Sequence, residues 1–233
     1  MRGELRVQHL PCVWRDVLRE FQLGIHISFE HDAPHMHKRP PQIIFTADDF
    51  GLCDEVNEAV ERGHRHGVLS AASLMIGAPA AKDAIERARR MPRLAVGLHL
   101  TRVEGRPVLP PAVLPALLKP DGAFHDNLIG AGVRWFFSPA ARRQLRAEIH
   151  AQFEAFRATG LTLDHVNAHN HMHLHPTVLG CILEAAKDFD VRAVRLPYEA
   201  PAALLTPWMG LMKKRLTRAG LAFNDRVVPW RGG

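Results

Sequence analysis

Three short segments of the sequence carry the acidic and imidazole side chains that metal-dependent hydrolysis requires. They are Thr46–Gly51, which contains Asp48 and Asp49, Gly97–Thr101, which contains His99, and His165–His175, which contains five histidines. Of two adjacent carboxylates, one can bind a divalent cation while the other accepts a proton from water, and neutral imidazoles supply further ligands. The sequence therefore predicts a metal-dependent hydrolase.

The first two segments also have purely structural interpretations. Asp48 and Asp49 can serve as a turn residue and a helix cap beside Phe50 and Gly51. A histidine in an apolar strand, such as His99, is often a buried structural residue. All three segments follow apolar stretches that are typical of strands, and their combination favours a functional site.

The third segment has polar residues at alternating positions, namely His165, Asn167, His169, His171, His173 and His175. If the chain stays extended there, these side chains share one face of a strand. A zinc-like ion takes three or four protein ligands, so these residues cannot all bind one ion. We expect one histidine to be a ligand, one or two to line a substrate pocket, and the outer ones to face solvent.

One carboxylate and two imidazoles form a ligand set that suits zinc, manganese, cobalt or iron, and suits magnesium less well. The same set occurs in non-haem iron oxygenases. Hydrolysis is favoured because the second carboxylate of the pair has a role in activating water and none in activating oxygen. A phosphoesterase is disfavoured because the sequence has no glycine-rich phosphate-binding loop and no second metal cluster.

The patterns that position these segments become regular from Gln42 onward. Predicted strands are Ile43–Thr46, Leu69–Ile76, Leu94–Leu100, Leu161–Val166 and Val191–Leu196. Predicted helices are Asp54–His66, with Asp54 as N-cap and Gly67 as C-cap, then Ala80–Arg90, Arg142–Ala158, Thr177–Phe189 and 203–219. Prolines between 107 and 120 predict a long irregular segment. Alternating strands and helices indicate an α/β domain with a parallel sheet, open or barrel-like, whose C-terminal strand ends bring the three segments together.

Composition limits the class of protein. The 233 residues, 47% of them hydrophobic and 23% charged, are enough for one globular domain. The net charge of +6 indicates a basic surface, but aromatic residues are only 7% and do not alternate with basic ones, which argues against nucleic acid as a partner. Residues 1–40 are rich in His and Pro without a steady period, and we expect a poorly ordered N-terminal extension.

Cysteine usage and hydropathy indicate the compartment. Cys12, Cys53 and Cys181 are few and far apart, which is typical of a reduced cytosolic protein. No apolar run reaches the roughly 18–20 residues that span a bilayer. Charged residues interrupt every candidate signal peptide at the N-terminus. We therefore expect a cytoplasmic protein.

Several stretches resemble the motifs of the YdjC-like (ChbG-type) carbohydrate deacetylases. The stretches that match motifs of the whole family are Ala47–Leu52, Ala72–Met75, Val96–Leu100 and Asn167–His173. The stretches that resemble its hopanoid biosynthesis-associated branch (HpnK) are Ala131–Phe137, Gln152–Gly160 and Val194–Tyr198. The resemblance runs from Ile43 to Tyr198, about two thirds of the chain. It implies a distorted (β/α) barrel that removes acetyl groups from N-acetylated sugars with one divalent metal ion, magnesium or zinc.

Carried over by motif, the resemblance implies roles for six residues. Asp49, His99 and His169 match the metal ligands, Asp48 matches the general base, and His171 and His173 match pocket histidines that can donate a proton. In the hopanoid branch the implied substrate is an N-acetylglucosaminyl group on a bacteriohopanepolyol lipid. The implied place of action is the cytoplasm, with peripheral contact at the inner membrane face. An ion that polarises the acetyl carbonyl, a carboxylate base and an imidazole acid agree with the chemistry inferred from the residues alone.

Two features depart from the family pattern. Asn167 and Ala168 stand where many members have Asp-Ser, and an asparagine at 167 can still orient a ligand through a hydrogen bond. Beyond 223–225 the chain runs Arg226–Gly233 in place of further barrel elements, so we expect the deacetylase domain at 42–233 to be shortened at its C-terminus. The alternative function is accordingly a catalytically impaired homologue that binds metal or glycolipid without turnover.

The predicted helix 203–219 has an apolar first half followed by basic residues, namely Lys213, Lys214, Arg215 and Arg218. This pattern is typical of a helix that packs on the core. If the substrate is a membrane lipid, the same pattern also suits shallow binding to anionic headgroups.

Overall fold

The computed structural model describes residues 23–28, 42–101, 106–125, 127–196 and 206–229, and for 23–28, 42, 170–172, 206, 226 and 228–229 it describes the backbone alone. The strands are β1 (Leu23–Ser28), β2 (Gln42–Phe50), β3 (Ala71–Leu74), β4 (Ala95–Leu100), β5 (Val166–Ala168) and β6 (Arg226–Pro229). The helices are α1 (Asp54–His66), α2 (Ala81–Arg89), α3 (Leu128–Phe137), α4 (Pro139–Ala158), α5 (Pro176–Ala185) and α6 (Thr206–Arg218), with 3-10 helices at Pro111–Val113 and His169–Leu174. Within these ranges, no helix combines the length and apolar character that crossing a membrane requires.

The strands form one sheet in the order β5-β4-β3-β2-β1-β6. Neighbours from β2 to β5 are parallel, whereas β1 is antiparallel to both β2 and β6. Parallel bridges from Val166 to Val194 and from Ala193 to Ala222 continue the sheet beyond β5. The predicted α/β fold is confirmed as a curled half-barrel, in which the C-terminal ends of β2 to β5 lie along one rim.

Apolar side chains on the strands and on α4 form the core behind this rim. All four residues of β3 are buried, and β4 is buried from Val96 onward. On α4, the buried face includes Leu145, Ile149, Phe153 and Phe156, which the helical spacing of the sequence predicts. β3 and most of β4 are covered on both faces, as expected for an α/β protein, whereas β2 exposes Ile43 and Ile44 near its start.

Two strands and one helix differ from the sequence prediction. The strand predicted at Leu161–Val166 begins only at Val166, and the strand predicted at Val191–Leu196 is reduced to isolated bridges because its pairing lasts only two residues. Helix α3 lies outside the predicted elements, because its two glycines weaken the apolar period. Asn127 begins α3 by accepting a hydrogen bond from Gly130 N.

Three boundaries are also corrected. Cys53, one residue before the predicted cap, occupies the N-cap position of α1, whereas Gly67 ends that helix as predicted. Helix α4 begins at Pro139 because the Ser138 hydroxyl accepts a hydrogen bond from Ala141 N and caps it. Helix α5 ends at Ala185, before the predicted end.

Strand β1 lies inside the segment 1–40 that the sequence predicts to be poorly ordered. Its residues Leu23–Ser28 pair with Gln42–Ala47 of β2, so the prediction is corrected for these six residues. Their order depends on hydrogen bonds from β2 and β6, which no local pattern encodes. The rest of the segment lies outside the described residues.

A buried carboxylate holds the proline-rich segment against the barrel. Glu148 of α4 accepts hydrogen bonds from the backbone N–H groups of Val108 and Leu109 and from Gln152 Nε2. Burial raises the pKa of the Glu148 carboxyl, and these three hydrogen bonds oppose that rise. Gln152 also bonds both backbone groups of Thr101, so Glu148 supports the residue that follows β4.

Replacing Glu148 by Gln is expected to lower the free energy of unfolding by about 1–3 kcal/mol. The new amide NH₂ is a donor, so one of the N–H groups of Val108 and Leu109 loses its acceptor and faces another donor at the buried end of the Glu148 side chain. Urea unfolding followed by circular dichroism measures the change. Glu154→Gln on the exposed side of α4 is the matched control and should stay within about 0.5 kcal/mol of wild type. Equal losses in the two variants would contradict this role of Glu148.

Candidate metal centre and catalytic site

Asp49, His99 and His169 meet at the C-terminal rim of the sheet. Asp49 lies near the end of β2, His99 lies in β4, and His169 directly follows β5. Asp49 Oδ1 lies 3.1 Å from His99 Nε2 and 3.2 Å from His169 Nδ1, and the two imidazole nitrogens are 3.4 Å apart. The structure therefore brings together the three residues predicted as metal ligands. We call this cluster the candidate metal centre.

The donor atoms of the candidate metal centre fit a single divalent ion. Three ligands at about 2.0–2.1 Å from a tetrahedral ion lie roughly 3.4 Å from one another, close to the separations found here. One carboxylate oxygen and two imidazole nitrogens suit zinc better than magnesium. The side chain of His99 is 2% exposed, whereas those of Asp49 and His169 are 16% and 18% exposed. The centre is therefore accessible from one side, where water and substrate can enter.

A bulge in β2 directs the two adjacent aspartates. The pairing of β2 with β3 shifts register between Ala47 and Phe50, and Asp49 has φ +58°, in the left-handed region. Aspartate is one of the few residues other than glycine that adopt this conformation readily. The local turn lets Asp49 reach the histidines while Asp48 remains buried beneath it.

Asp48 is held by an arginine that the sequence analysis did not identify as a site residue. Arg195 donates from Nη1 to Oδ1 of Asp48 at 2.7 Å and from Nη2 to Oδ2 at 2.5 Å, and Asn167 Nδ2 donates to Oδ1 at 3.0 Å. Burial alone would raise the pKa of Asp48. The charge of Arg195, the nearby His99 and these hydrogen bonds outweigh burial and hold the pKa well below its ordinary value. Asp48 is therefore a carboxylate at neutral pH.

The sequence did contain a signal for Arg195. This residue stands between Val194 and Leu196 in a stretch predicted as an apolar strand. A charged side chain in such a stretch is buried only when it has a partner of opposite charge. The signal indicates that a partner exists, but it does not indicate which of the carboxylates in the chain that partner is.

Asn167 connects Asp48 to the candidate metal centre. Its Oδ1 lies 2.7 Å from His99 Nδ1. The Asp48 carboxylate only accepts hydrogen bonds, so the amide NH₂ of Asn167 must face Asp48 and the amide oxygen must face His99. Nδ1 of His99 therefore carries a hydrogen, so that in the neutral ring Nε2 is the nitrogen that can present a lone pair to an ion. The hydrogen bond expected of an asparagine at 167 is present, and its role in orienting a metal ligand stays a prediction.

The polar residues of the 165–175 segment do not share one face. Strand β5 ends at Ala168 and the chain continues as the 3-10 helix His169–Leu174, so the predicted alternation is wrong beyond β5. His165 is buried and lies within hydrogen-bonding distance of Ser73 and Asp164. The expectation that the outer histidines face solvent is therefore wrong for His165.

The other histidines of this segment have separate positions. His173, a predicted proton donor, is 1% exposed. His175 caps α5, where its Nδ1 accepts a hydrogen bond from Thr177 N at 3.3 Å. For His171 the structure describes the backbone alone, so its place in the pocket stays a prediction.

Comparison with known proteins agrees with the resemblance of the sequence to the YdjC-like family. The YdjC-like protein family model matches residues 42–231. Carbohydrate deacetylases from Vibrio cholerae serotype O1 and Brevibacillus brevis are 37% and 34% identical over 150 and 160 residues. These matches cover 64% and 67% of this chain and 57% and 60% of the relatives. The chain thus spans less than two thirds of the length of the curated relatives it matches.

A solved structure is similar over much of the fold. It is that of a protein from Enterococcus faecalis V583 assigned to cellobiose-phosphate cleavage, with a TM-score of 0.62 and 26% sequence identity. The similarity covers 73% of this chain and 64% of the other. It supports the barrel-type architecture described above.

Proposed function

The chain belongs to the YdjC-like protein family, and on this premise we propose that it is a metal-dependent hydrolase that removes the N-acetyl group from an amino sugar. The observation that carries the proposal is the cluster of Asp49, His99 and His169 beside the ionised Asp48. The carbohydrate deacetylases to which the chain is similar support the substrate class. The ligand set supports one divalent ion, magnesium or zinc, and its two imidazoles favour zinc.

The residues around the candidate metal centre have different roles in the proposed hydrolysis. A bound divalent ion supplies a Lewis acid that polarises a carbonyl and acidifies water. Asp48, fixed by Arg195 and Asn167, accepts the proton of the attacking water. A carboxylate with so low a pKa is always ionised but is a weak base, which is why the proposal includes a metal ion.

The leaving amine needs a proton donor. We assign this role to the histidines of the 3-10 helix that follows β5, with His171 and His173 as the candidates. Because the His173 side chain is buried, donation from it requires that this helix move toward the substrate. A protonated imidazole is a suitable acid near neutral pH.

The proposed sugar belongs to a lipid, an N-acetylglucosaminyl bacteriohopanepolyol, and the proposed place of action is the cytoplasm at the inner membrane face. The resemblance of Ala131–Phe137, Gln152–Gly160 and Val194–Tyr198 to the hopanoid branch supports this substrate. Cys53 and Cys181, which are thiols rather than a disulfide, suit a reducing compartment.

Acetate release tests the proposed function. Purified protein with zinc is incubated with N-acetylglucosaminyl bacteriohopanepolyol and, separately, with a soluble N-acetylglucosamine oligosaccharide. Acetate from the glycolipid is the expected result. Acetate from the soluble sugar alone would overturn the lipid substrate and leave the deacetylase assignment intact. Zinc binding with no acetate from either compound would favour the alternative, a homologue that binds metal or glycolipid without turnover.

An exposed apolar surface near the site supports contact with a membrane. Helix α3, residues Leu174–Pro176 and Trp208 line a groove. On its outer side α3 exposes large apolar residues, with Ile129 81% and Phe137 74% exposed, and Val133 and Phe136 about half exposed. Leu174 ends the 3-10 helix that begins with His169, and His175 and Pro176 follow it. The groove therefore borders the end of the 3-10 helix whose first residue, His169, belongs to the candidate metal centre.

The charges around this groove complement an anionic bilayer. Residues 127–146 and 206–218 each contain four Lys or Arg residues and no Asp or Glu. The combined positive charge of these two segments exceeds the net charge of the whole chain, which is +6. Arg142 donates to Phe136 O and Arg215 to Pro176 O, so both cations lie at the edge of the groove. Apolar side chains bordered by cations are typical of surfaces that bind shallowly among acidic headgroups.

Vesicle binding is expected to depend on both features of the groove. Wild-type protein should sediment with vesicles that contain acidic phospholipid, less at high salt, and should bind neutral vesicles weakly. Phe136→Ser combined with Phe137→Ser should weaken binding at least about 10-fold, since each side chain loses roughly 1.5–3 kcal/mol of burial.

Val68→Ser is the matched control, because Val68 is an equally exposed apolar residue between α1 and β3. It should bind vesicles as wild type does. Equal binding by the double serine variant, or no preference for acidic lipid, would contradict the proposed surface. If the protein does not bind vesicles and its molecular mass in solution rises to that of a dimer at higher protein concentration, the groove is instead a contact between two copies of the chain.

A further inference from the structure

A line of hydrogen bonds runs behind the candidate metal centre from the Asn167 amide to the protein surface. Asn167 Nδ2 donates to Ser73 Oγ at 2.9 Å, Ser73 Oγ lies 2.9 Å from His165 Nε2, and His165 Nδ1 lies 2.9 Å from Asp164 Oδ2. Asn167, Ser73 and His165 are buried, whereas the Asp164 side chain is 52% exposed. The line therefore joins a buried amide to a carboxylate in solvent.

The direction of each hydrogen bond follows from the two ends of the line. The Asp164 carboxylate only accepts, so His165 Nδ1 carries the hydrogen, and in the neutral ring Nε2 accepts from the Ser73 hydroxyl. Ser73 Oγ in turn accepts one hydrogen of the Asn167 amide, and the other goes to Asp48. Asn167 therefore cannot rotate without breaking both of these hydrogen bonds.

Gly97 provides the space for the His165 ring. A Cβ at position 97 would lie 2.5 Å from Nε2 and Cε1 of His165 and 2.6 Å from Cδ2, far inside van der Waals contact. Gly97 lies in β4, two residues before His99. Strand β4 thus carries both the predicted metal ligand His99 and the glycine whose missing side chain leaves room for the His165 ring.

We propose that Ser73, His165 and Asp164 are positioning residues of the metal centre. They act on His99 through Asn167: the Ser73 hydroxyl fixes the amide, the amide oxygen fixes the Nδ1–H tautomer of His99, and Nε2 then faces the ion site. The proposal rests on the proposed metal-dependent function. It concerns the orientation of a ligand, however, and that orientation can be measured without turnover.

Ser73→Ala removes the hydroxyl from the line, so the NH₂ group of the Asn167 amide is then held by its hydrogen bond to Asp48 alone and is less firmly fixed. Zinc affinity, measured by competition with a chromophoric chelator, is expected to fall about 10-fold, the low end for residues that orient a metal ligand. In zinc-loaded protein, long-range proton–nitrogen NMR is expected to show His99 with its hydrogen on Nδ1 in wild type and with a second tautomer detectable in the variant. Gly97→Ala, which displaces His165 instead, should reproduce both changes.

Two further variants separate positioning from a general structural role. Ser73→Thr keeps the hydroxyl and is expected to retain the single tautomer. Thr159→Val is the matched control, because the buried Thr159 hydroxyl bonds local backbone groups, Phe156 O and Leu161 N. It should leave zinc affinity and the His99 tautomer unchanged.

Each outcome bears on one proposal. The positioning role would be overturned if Ser73→Ala bound zinc as tightly as wild type and kept a single His99 tautomer. If Ser73→Ala does not fold, the same two results in Gly97→Ala would overturn it. Reduced zinc affinity in Ser73→Ala, together with no acetate release by wild type, would overturn the proposed function and support the positioning role.

Discussion

Replacing Asp48 by Asn is expected to lower kcat for acetate release by roughly 10²–10⁴-fold, the usual contribution of a general base. The amide has nearly the same shape as the carboxylate but cannot accept a proton from water. Zinc should still bind, because Asp49, His99 and His169 all remain. Acetate release gives kcat, and isothermal titration calorimetry gives zinc affinity. Wild-type turnover in the Asp48→Asn protein would remove Asp48 from the mechanism.

The stability of the Asp48→Asn protein must be measured alongside kcat. The substitution leaves the Arg195 guanidinium buried opposite a neutral amide, and loss of one partner of a buried ion pair typically costs about 3–5 kcal/mol. Circular dichroism and urea unfolding establish the folded fraction at the assay temperature. A fall in kcat supports Asp48 as the base only when it is larger than the fall in the fraction of folded protein.

Arg195→Gln tests the same assignment through the pH dependence of kcat. A base must be deprotonated to act, so activity is lost as the pH falls through its pKa. Arg195 holds the pKa of Asp48 down, and its removal raises that pKa. The acid limb of the pH–rate profile is therefore expected to move to higher pH in Arg195→Gln. An unmoved acid limb in a folded variant would argue against Asp48 as the base.

Removal of the metal ion is the second large effect, and it is expected to abolish acetate release. A strong chelator should inactivate the protein, and zinc or cobalt should restore more activity than magnesium, because two of the three ligands are imidazoles. His169→Ala should lower zinc affinity by more than about 100-fold, beyond the effect of residues that only orient a ligand.

Thermal unfolding gives a readout of the metal site that is independent of turnover. Zinc at 100 times its Kd should stabilise wild type by about 2.7 kcal/mol, and this shift should vanish in His169→Ala at the same zinc concentration. His66→Ala, on the exposed end of α1, is the matched control and should keep the shift. Full activity after chelation would exclude metal dependence.

Much of the fold follows from local patterns. The strands β2, β3 and β4 and the buried face of α4 lie where apolar periodicity predicts them. The errors occur where distant contacts decide the structure. Strand β1 is ordered by its neighbours β2 and β6. The chain after Ala168 coils into a 3-10 helix although its polar residues alternate as in a strand.

The candidate site was predictable only in part. The three segments that carry the site were found because polar, titratable residues at the ends of apolar strands are uncommon, and such ends meet in an α/β sheet. The family resemblance then indicated Asp49, His99 and His169 as the ligands. Ser73 gave no comparable signal, because a serine in a strand is ordinary. Gly97 belongs to a family motif, but the sequence does not show that an imidazole occupies the space above it.

The sequence by itself determined which side chains the site can use, one carboxylate and two imidazoles with a second carboxylate adjacent, and these predicted the class of chemistry. Only the tertiary structure decided how each group is held. Asp48 and Arg195 are 147 positions apart, and His99 and Asn167 are 68 positions apart. The physical reason is that protonation state and tautomer depend on hydrogen-bond partners within about 3 Å. Folding brings such partners together across distances that no local pattern records.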